Sequence, residues 1–381
     1  MKKLQKQGFV LFIFIIVFLF YGNKNDNTII INLDEIVIAA TEKFDEIEIL
    51  DNDKEIVRFQ SISDIVLGAD SDILIMDRQQ PHIVQLDKNL QFKKYIMVQA
   101  PSIGEDNSFL SGVYHNNNYY VIDDEGMRLQ KYDRDMNYIT SHAALFSAPY
   151  SIDFVSENEI LSMYPENPMC YVNFDLSNNA ITIDDEYEYL FCIRDTLGKI
   201  IRSFGNIEGN EEGVVEKGTT KRAPLLPPLY DPIYKHIFLV SNSAPIIRRF
   251  DLDGNLLQRI NIEGEIIDTL RAQEQQPLQG IVKFMDKEGN WVDVDPSRLR
   301  RHTFYLTSAS LGDGHKLTIC IQNLDGVLEL HYDDKNIIDK KIIKYENETN
   351  DIMLRPYSII KDYNNIKLLC GGFSGKMFVN K

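Results

Sequence analysis

Residues 73–96 read ILIMDRQQPHIVQLDKNLQFKKYI, and this stretch decides the fold class. An apolar run ends at Asp77, a second alternating run ends at Asp87, and a polar turn leads to a third run ending at Ile96. Period-two alternation bounded by turn residues predicts strand, turn, strand, turn, strand. The preceding ISDIVLGA at 62–69 adds a fourth strand, so the repeating unit has four strands.

The same pattern recurs along the chain. Residues 119–140, 237–260 and 366–380 repeat it, and 189–205 and 317–342 are looser copies. The polar residues that align these copies fall at 87, 133, 195, 251, 333 and 380, and the shortest spacings are 46 and 47 residues. A four-stranded unit at this period is typical of a propeller blade. The sequence therefore predicts an all-β fold, a six-bladed β-propeller with four-stranded blades.

The two ends of the repeat fit together. Residues 44–51, FDEIEILD, read as a strand without a blade of its own, and the last copy ends at Lys381 after only its third strand. We expect the N-terminal strand to complete the last blade, because closure of the ring removes a free sheet edge. The predicted organisation is a targeting segment at 1–26, a leader at 27–43 and one propeller at 44–381.

The first 26 residues predict export. Three lysines precede an unbroken apolar run at 9–21, which would span about 20 Å as a helix, short of the roughly 30 Å of a bilayer core. A basic start and a short apolar run are typical of a secretory signal, and an uncleaved membrane anchor is the alternative. Asn23 stands where a bacterial lipoprotein carries cysteine. We expect a periplasmic or cell-envelope protein that meets the membrane only through this segment.

Charge and motifs exclude several classes of function. The formal net charge is −17, and residues 1–26 carry +3, so the remainder is near −20. Such a surface repels phosphate backbones and argues against nucleic acid. The chain has no P-loop, no G-x-G-x-x-G and no G-x-S-x-G, and its seven histidines lack metal-ligand spacing. No catalytic residue, metal site or cofactor is therefore predicted.

Two local features have structural interpretations. DLDGN at 251–255 resembles the start of a calcium loop, but Leu256 and Ile262 stand where an EF-hand needs Gly and Glu, so we interpret it as a hairpin turn. The cysteines lie in apolar strand contexts without C-x-x-C spacing, which favours buried thiols. A disulfide between Cys170 and Cys192 is the alternative that export would permit.

Long insertions gather on one side of the predicted propeller. With strands a to d named from the axis outward, 165–187 lies between b and c, whereas 206–227 and 264–301 lie between d and the next a. Both kinds of connection emerge on one face, so we expect them around the mouth of the central channel. The largest insertion predicts a helix at 265–276 and a hairpin at 281–295.

Candidate ligand-binding residues are polar and aromatic side chains at the expected mouth and on the insertions. They are Arg78, Tyr150, Tyr230, Asn242, Trp291, Arg301 and Tyr357. Amphipathic aromatic residues and a few hydrogen-bond donors around a concave mouth suit the capture of a ligand or peptide. The alternative for each tyrosine is packing between neighbouring blades.

The repeats resemble a known family. RRFDLDGNLLQRI at 248–260 and FCIRDTLGKIIRSFG at 191–205 are similar to NHL-type repeats. Over 44–381 the chain resembles the six-bladed, NHL- and TolB-like propellers that gut-type bacteria export, commonly as lipoproteins of unassigned activity. The resemblance implies a fold and export, and no catalytic residues. From the repeat period, the export signal and the one-sided insertions, we expect a module that binds a protein, peptide or glycan; the alternative is a hydrolase-, lactonase- or lyase-type propeller with its site in the channel.

Overall fold

The structure is a computed structural model, and it contains many short strands. It describes residues 27–77, 79–80, 82–97, 109–123, 128–143, 152–163, 172–175, 180–183, 191–205, 226–242, 244–274, 276, 282–285, 291–294, 305–346, 359–363, 366–370 and 377–380. These residues form 30 strands and one α-helix. Three strands precede the repeats: β1 (Thr28–Asn32), β2 (Ile38–Lys43) and β3 (Asp45–Ile47).

The first three repeats are antiparallel sheets of four strands each. The first sheet contains β4 (Ile62–Leu67), β5 (Ile73–Asp77), β6 (His82–Leu86) and β7 (Phe92–Met97). The second contains β8 (Phe109–His115), β9 (Asn118–Asp123), β10 (Arg128–Asp133) and β11 (Tyr138–Ala143). The third contains β12 (Ile152–Phe154), β13 (Glu159–Met163), β16 (Phe191–Asp195) and β17 (Ile200–Phe204), and is interrupted by a hairpin of β14 (Val172–Asp175) and β15 (Ala180–Ile183).

The later repeats take up the N-terminal strands. The fourth sheet contains β18 (Leu229–Asp231), β19 (His236–Val240), β20 (Ile246–Phe250) and β21 (Leu256–Glu263), with β1 at its edge. Helix α1 (Glu265–Glu274) and a hairpin of β22 (Val282–Met285) and β23 (Trp291–Val294) follow. The fifth sheet contains β24 (Leu306–Gly312), β25 (Lys316–Ile321), β26 (Gly326–Tyr332) and β27 (Ile337–Glu346), with β2 at its edge. The sixth contains β28 (Ile359–Tyr363), β29 (Ile366–Cys370), β30 (Met377–Asn380) and β3.

Apolar layers lie between successive sheets. The middle strands are buried on both faces, as in β5, β19 and β20, where every residue is buried. Buried clusters join each sheet to the next one in chain order, and a further cluster of Met377 and Val379 with Ile62 and Ile73 joins the sixth sheet to the first. Four-stranded sheets packed face to face in this way define an all-β propeller with four-stranded blades.

A recurring turn explains the sequence repeat. An aspartate ends or directly follows the third strand of five sheets, and one of its carboxylate oxygens accepts two hydrogen bonds from backbone N–H groups of the next few residues; these are Asp87, Asp133, Asp195, Asp251 and Asp333. In the first four sheets the third residue after the aspartate has a positive φ: Leu90, Met136, Gly198 and Gly254. A type I turn closed by a left-handed residue gives a three-residue hairpin loop with a bulge. DLDGN at 251–255 is such a turn, as the sequence predicts.

The glycine of this turn in the fourth sheet gives the first testable expectation. Gly254 has a φ of +84°, and a Cβ there would lie 2.8 Å from Phe204 Cβ of the third sheet. Gly254→Ala should therefore cost about 1–2 kcal/mol for the left-handed backbone and about 1–3 kcal/mol for overpacking. Gly314→Ala is the matched control, because Gly314 has a φ of +75° and an added methyl group there would meet no atom within 4 Å, so only the backbone cost should appear. Urea denaturation measures the loss of stability in both variants, and equal losses would contradict the argument that the methyl group at 254 is overpacked.

Residues 27–47 cross the outer edges of three consecutive sheets, and we call them the N-terminal strap. Strand β1 pairs in parallel with β21, β2 pairs in parallel with β27, and β3 pairs antiparallel with β30. The last pairing confirms the prediction that an N-terminal strand completes the sixth sheet. The sequence places residues 27–43 in a leader, whereas the structure shows that they include two strands of the fold, β1 and β2.

The described parts of the insertions agree with the prediction. The β14–β15 hairpin lies between the second and third strands of the third sheet, and α1 with the β22–β23 hairpin follows the last strand of the fourth. Successive strands of a sheet alternate in direction, so a–b and c–d connections lie at one end, which we call the turn end. The b–c and d–a connections lie at the opposite end, the insertion end.

Candidate functional site

The structure describes only some of the seven residues predicted to bind a ligand. The side chains of Tyr230 and Asn242 are described, and Trp291 begins β23, whose backbone is described. Arg78, Tyr150, Arg301 and Tyr357 lie outside the described residues. Between the two described side chains there is no hydrogen bond, so the structure does not bring them together directly.

Tyr230 packs between two sheets. It lies in β18, is partly buried beside the apolar cluster of the third and fourth sheets, and donates a hydrogen bond from its hydroxyl to the backbone carbonyl of Val155 at 3.2 Å. Burial, followed by the negative charge of Asp153, raises the pKa of the phenol. This contact matches the alternative of packing between blades that the sequence leaves open for each tyrosine.

Asn242 lies at the insertion end of the fourth sheet. It follows β19, and it is only 3 % exposed. Its backbone carbonyl accepts a hydrogen bond from the N–H of Tyr305 at 2.8 Å, immediately before the fifth sheet. Asn242 therefore helps to fix the connection between neighbouring sheets at the end where the insertions emerge.

A group of side chains that the sequence analysis missed lies at the turn end. We call Asp231, Tyr234, His315 and Tyr332 the Asp231 cluster. The Asp231 carboxylate accepts hydrogen bonds from the Tyr332 hydroxyl at 2.9 Å and the backbone N–H of Ile233 at 2.8 Å. His315 Nδ1 lies 3.3 Å from the same carboxylate, and the Tyr234 ring packs on the imidazole with centroids 4.2 Å apart. The cluster joins the fourth sheet to the fifth.

Electrostatics favour the ionised state of Asp231. Burial would raise its pKa, but backbone N–H groups and the Tyr332 hydroxyl hold the pKa of this carboxyl below its ordinary value. Burial, together with the charge of Asp231, raises the pKa of the Tyr332 phenol. The tyrosine therefore stays a hydrogen-bond donor and the aspartate an acceptor across the physiological pH range.

An arginine strengthens the same junction. Arg249 of β20 is buried, and its guanidinium donates to the backbone carbonyls of Asp333 at 2.9 Å and Lys335 at 2.5 Å in a turn of the fifth sheet. Burial lowers the pKa of Arg249. Nearby, burial and then the charge of Arg249 lower the pKa of His236, whose Nε2 lies 3.6 Å from an oxygen of Asp334. These groups hold two sheets together at the turn end.

The Asp231 cluster serves mainly to join the fourth and fifth sheets. A carboxylate that orients a histidine is also the arrangement of a general base. In this cluster, however, the carboxylate already has four donors within 3.3 Å, two of them backbone N–H groups of its own turn. Among the described residues, no group of three or more His, Cys, Asp or Glu side chains is placed to hold a metal ion.

Two cysteines, Cys192 and Cys320, have described side chains, and both are buried. Cys320 is a free and buried thiol, and burial raises its pKa. Cys192 is also buried, with Sγ 3.2 Å from Ser162 Oγ, and burial again raises the pKa of the thiol. Cys170, the alternative disulfide partner in the sequence analysis, lies outside the described residues.

The fold and the contacts between sheets together define the class of protein, which is an all-β propeller with insertions at one end of its sheets. No family model matches the chain, and no curated protein matches it. A crystal structure of a candidate exported protein from Bacteroides fragilis is similar, with a TM-score of 0.54, 12 % identity, and coverage of 93 % of this chain and 98 % of the other. At this identity the similarity shows the fold alone.

Two further solved structures are less similar. Virginiamycin B lyase from Staphylococcus aureus has a TM-score of 0.45 and 10 % identity, over 89 % of this chain and 99 % of the other. BamB from Moraxella catarrhalis has a TM-score of 0.38 and 13 % identity, over 93 % and 96 %. In the part of the chain that the structure describes, no helix is long and apolar enough to cross a membrane.

Proposed function

We propose that the chain is an exported cell-envelope propeller that binds a protein, peptide or glycan through the insertion end of its sheets. One observation carries the proposal: the two described elaborations, the β14–β15 hairpin and α1 with the β22–β23 hairpin, both emerge at that end. The third-to-fourth-strand turns at the opposite end are short and alike. Long loops on a rigid scaffold are where binding residues are usually found.

The proposal includes a ring of six blades closed by the N-terminal strand. The innermost strands of successive sheets are neighbours in the order β4, β8, β12, β18, β24 and β28, and β28 is in turn a neighbour of β4. This circular order supports one propeller over 44–381, and residues 27–43 add two further strands at its edge. The resemblance to NHL- and TolB-like propellers remains a prediction.

Export is proposed from residues 1–26. Their lysines and the short apolar run at 9–21 support a secretory signal, with an uncleaved anchor as the alternative. Mass spectrometry of the protein from the soluble and membrane fractions of its cell measures which N-terminus is present. Recovery from the cytoplasm with the first 26 residues intact would contradict both forms of the proposal.

Binding is favoured over a hydrolase-, lactonase- or lyase-type activity by the placement of the described polar groups. The Asp231 cluster is the described arrangement closest to an acid–base site. Its carboxylate is occupied by four donors, and it lies at the turn end, away from the insertions. Amphipathic residues at the insertion end, including the predicted Trp291, fit reversible capture better.

A ligand screen tests the proposal. Oligosaccharides and peptides are added to the protein that begins at residue 27, and the melting temperature is recorded. A ligand at 100 times its Kd should stabilise the protein by about 2.7 kcal/mol. Replacing 165–187 by a short glycine-serine turn, or Trp291 by alanine, should abolish the shift if these segments bind the ligand.

The matched control lies at the turn end. Asp253→Ala changes an exposed turn residue of the fourth sheet whose carboxylate is 3.3 Å from Arg202. It should leave the ligand-induced shift unchanged. A shift that survives both changes at the insertion end and disappears in Asp253→Ala would refute binding at the insertion end.

A further inference from the structure

The N-terminal strap contacts the first turn of α1. Asp34 lies in the short turn Leu33–Glu35 that follows β1. Its carboxylate oxygens accept the backbone N–H of Glu265, the first residue of α1, at 3.0 and 3.3 Å. The first N–H groups of a helix have no partner inside the helix, and negative charge is favourable beside them. A residue far away in sequence therefore caps this helix.

Apolar packing reinforces the cap. Ile31 and Leu33 of the strap are buried in one cluster with Ile267 and Leu270 of α1. Between β21 and α1, Gly264 has a φ of +135°, and a Cβ there would lie 3.1 Å from Asp34 Oδ1 and 3.2 Å from Leu33 Cβ. The backbone conformation at Gly264 and the close approach of the strap together favour glycine at the start of the insertion.

We propose that the strap positions the 264–301 insertion, so that the N-terminal segment regulates the candidate binding end of the protein. Helix α1 is the first element of this insertion, and the hairpin that contains Trp291 follows it. Displacement of the strap removes the cap and exposes the apolar side of α1. Regulation of binding by the strap rests on the proposed function, whereas the contact between the strap and α1 does not.

The middle of the strap, between its buried anchors Leu33 and Phe44, is held only weakly by side chains. Within β2, five of the six side chains are exposed and none is buried, so this part is held mainly by backbone pairing with β27. The first part of the strap is tied to α1 through Ile31, Leu33 and Asp34. A partner or anchor that holds the chain before Asn27 therefore acts on the insertion through a short, defined contact.

Hydrogen exchange on the full chain tests the coupling. Asp34→Ala should accelerate amide exchange in residues 265–270 by about fivefold, the factor that corresponds to a cap of about 1 kcal/mol. Asp34→Asn retains an acceptor oxygen and should restore most of the protection. Glu35→Ala is the matched control. The Glu35 carboxylate accepts a hydrogen bond from the Asn32 side chain in the same turn and does not accept the N–H of Glu265, so exchange in α1 should not change.

A second variant and a second readout make the test decisive. Gly264→Ala should produce the same local acceleration from the other side of the contact. Trp291 is the only tryptophan of the chain, so a change in acrylamide quenching of its fluorescence reports on the insertion directly. Unchanged exchange in Asp34→Ala, or acceleration spread evenly over all sheets, overturns the proposal. Either result leaves ligand binding at the insertion end untouched, so the two proposals fail separately.

Discussion

A chain that begins at residue 52 should lose the cooperative unfolding transition of the propeller, whereas a chain that begins at residue 27 should unfold as the full-length protein does. The shorter chain lacks β1, β2 and β3, so the sixth sheet keeps three strands. It also lacks four buried side chains, Ile31, Leu33, Phe44 and Ile49. Circular dichroism during urea denaturation measures the difference.

The size of the effect follows from burial. Loss of a large buried side chain costs about 2–5 kcal/mol, so four losses amount to roughly 8 kcal/mol or more. A typical protein is stable by about 5–15 kcal/mol. The truncation therefore removes a free energy comparable to the total stability of a typical protein. A truncated chain that unfolds at the same urea concentration as the parent would disprove closure of the sixth sheet by the N-terminal strand.

A single substitution isolates the central contact of the strap. Phe44 packs between the fifth and sixth sheets, with its ring centroid 4.5 Å from that of Tyr345 and beside Phe378. Phe44→Ala should cost about 3–5 kcal/mol. Ile38→Ala in the neighbouring β2 is the control, because Ile38 is exposed and its loss should stay within about 0.5 kcal/mol.

The repeat could be predicted from the sequence because its physical origin is local. In the first four sheets the turn needs an aspartate that accepts nearby N–H groups and a residue that tolerates a positive φ, and both requirements lie within five residues. The same chemistry occurs at Asp51, which accepts the N–H groups of Asp53 and Glu55 in the turn that joins Leu50 to its bridge partner Ile56. That turn does not follow the third strand of a repeat, so alignment of the copies did not reveal it.

Strands β1 and β2 could not be predicted for a different reason. They add to the outer edges of complete sheets, where backbone groups provide the pairing; β2 has no buried side chain and β1 has only one, Ile31. Hydrophobic alternation reports a buried face, and an edge strand with few buried side chains gives little of that signal. By contrast, β3 completes a sheet that lacked a strand, so counting strands was sufficient to predict it.

The candidate site was less predictable than the fold. The position of Tyr230 and Asn242 in the repeat predicts a binding role, whereas the structure places both at junctions between sheets. The Asp231 cluster joins residues that are 84 and 101 positions apart. Motif searches compare nearby residues, so only the packing of neighbouring sheets reveals such a group.

Asp231→Ala should lower the free energy of unfolding by about 3–5 kcal/mol, because it leaves buried donors without an acceptor. The carboxylate is almost fully buried between the fourth and fifth sheets, and Tyr332, His315 and two backbone N–H groups all point to it. Asp253→Ala is the matched control in the same sheet. Its carboxylate is 80 % exposed and makes a surface ion pair, so the loss should be at most about 1 kcal/mol.

The pH dependence of the difference in stability between the parent and Asp231→Ala provides an independent check. The folded protein holds the pKa of Asp231 below its ordinary value, so the ionised carboxylate stabilises the fold above the unfolded-state pKa of about 3.9. That contribution is lost as the pH falls through the lowered folded-state pKa. The stability gap between the parent and Asp231→Ala should therefore be constant from pH 7 to about pH 5 and shrink below about pH 4. A gap that widens below about pH 4 would mean that Asp231 takes up a proton more readily in the folded than in the unfolded protein, and the account of four donors converging on a carboxylate would then be wrong.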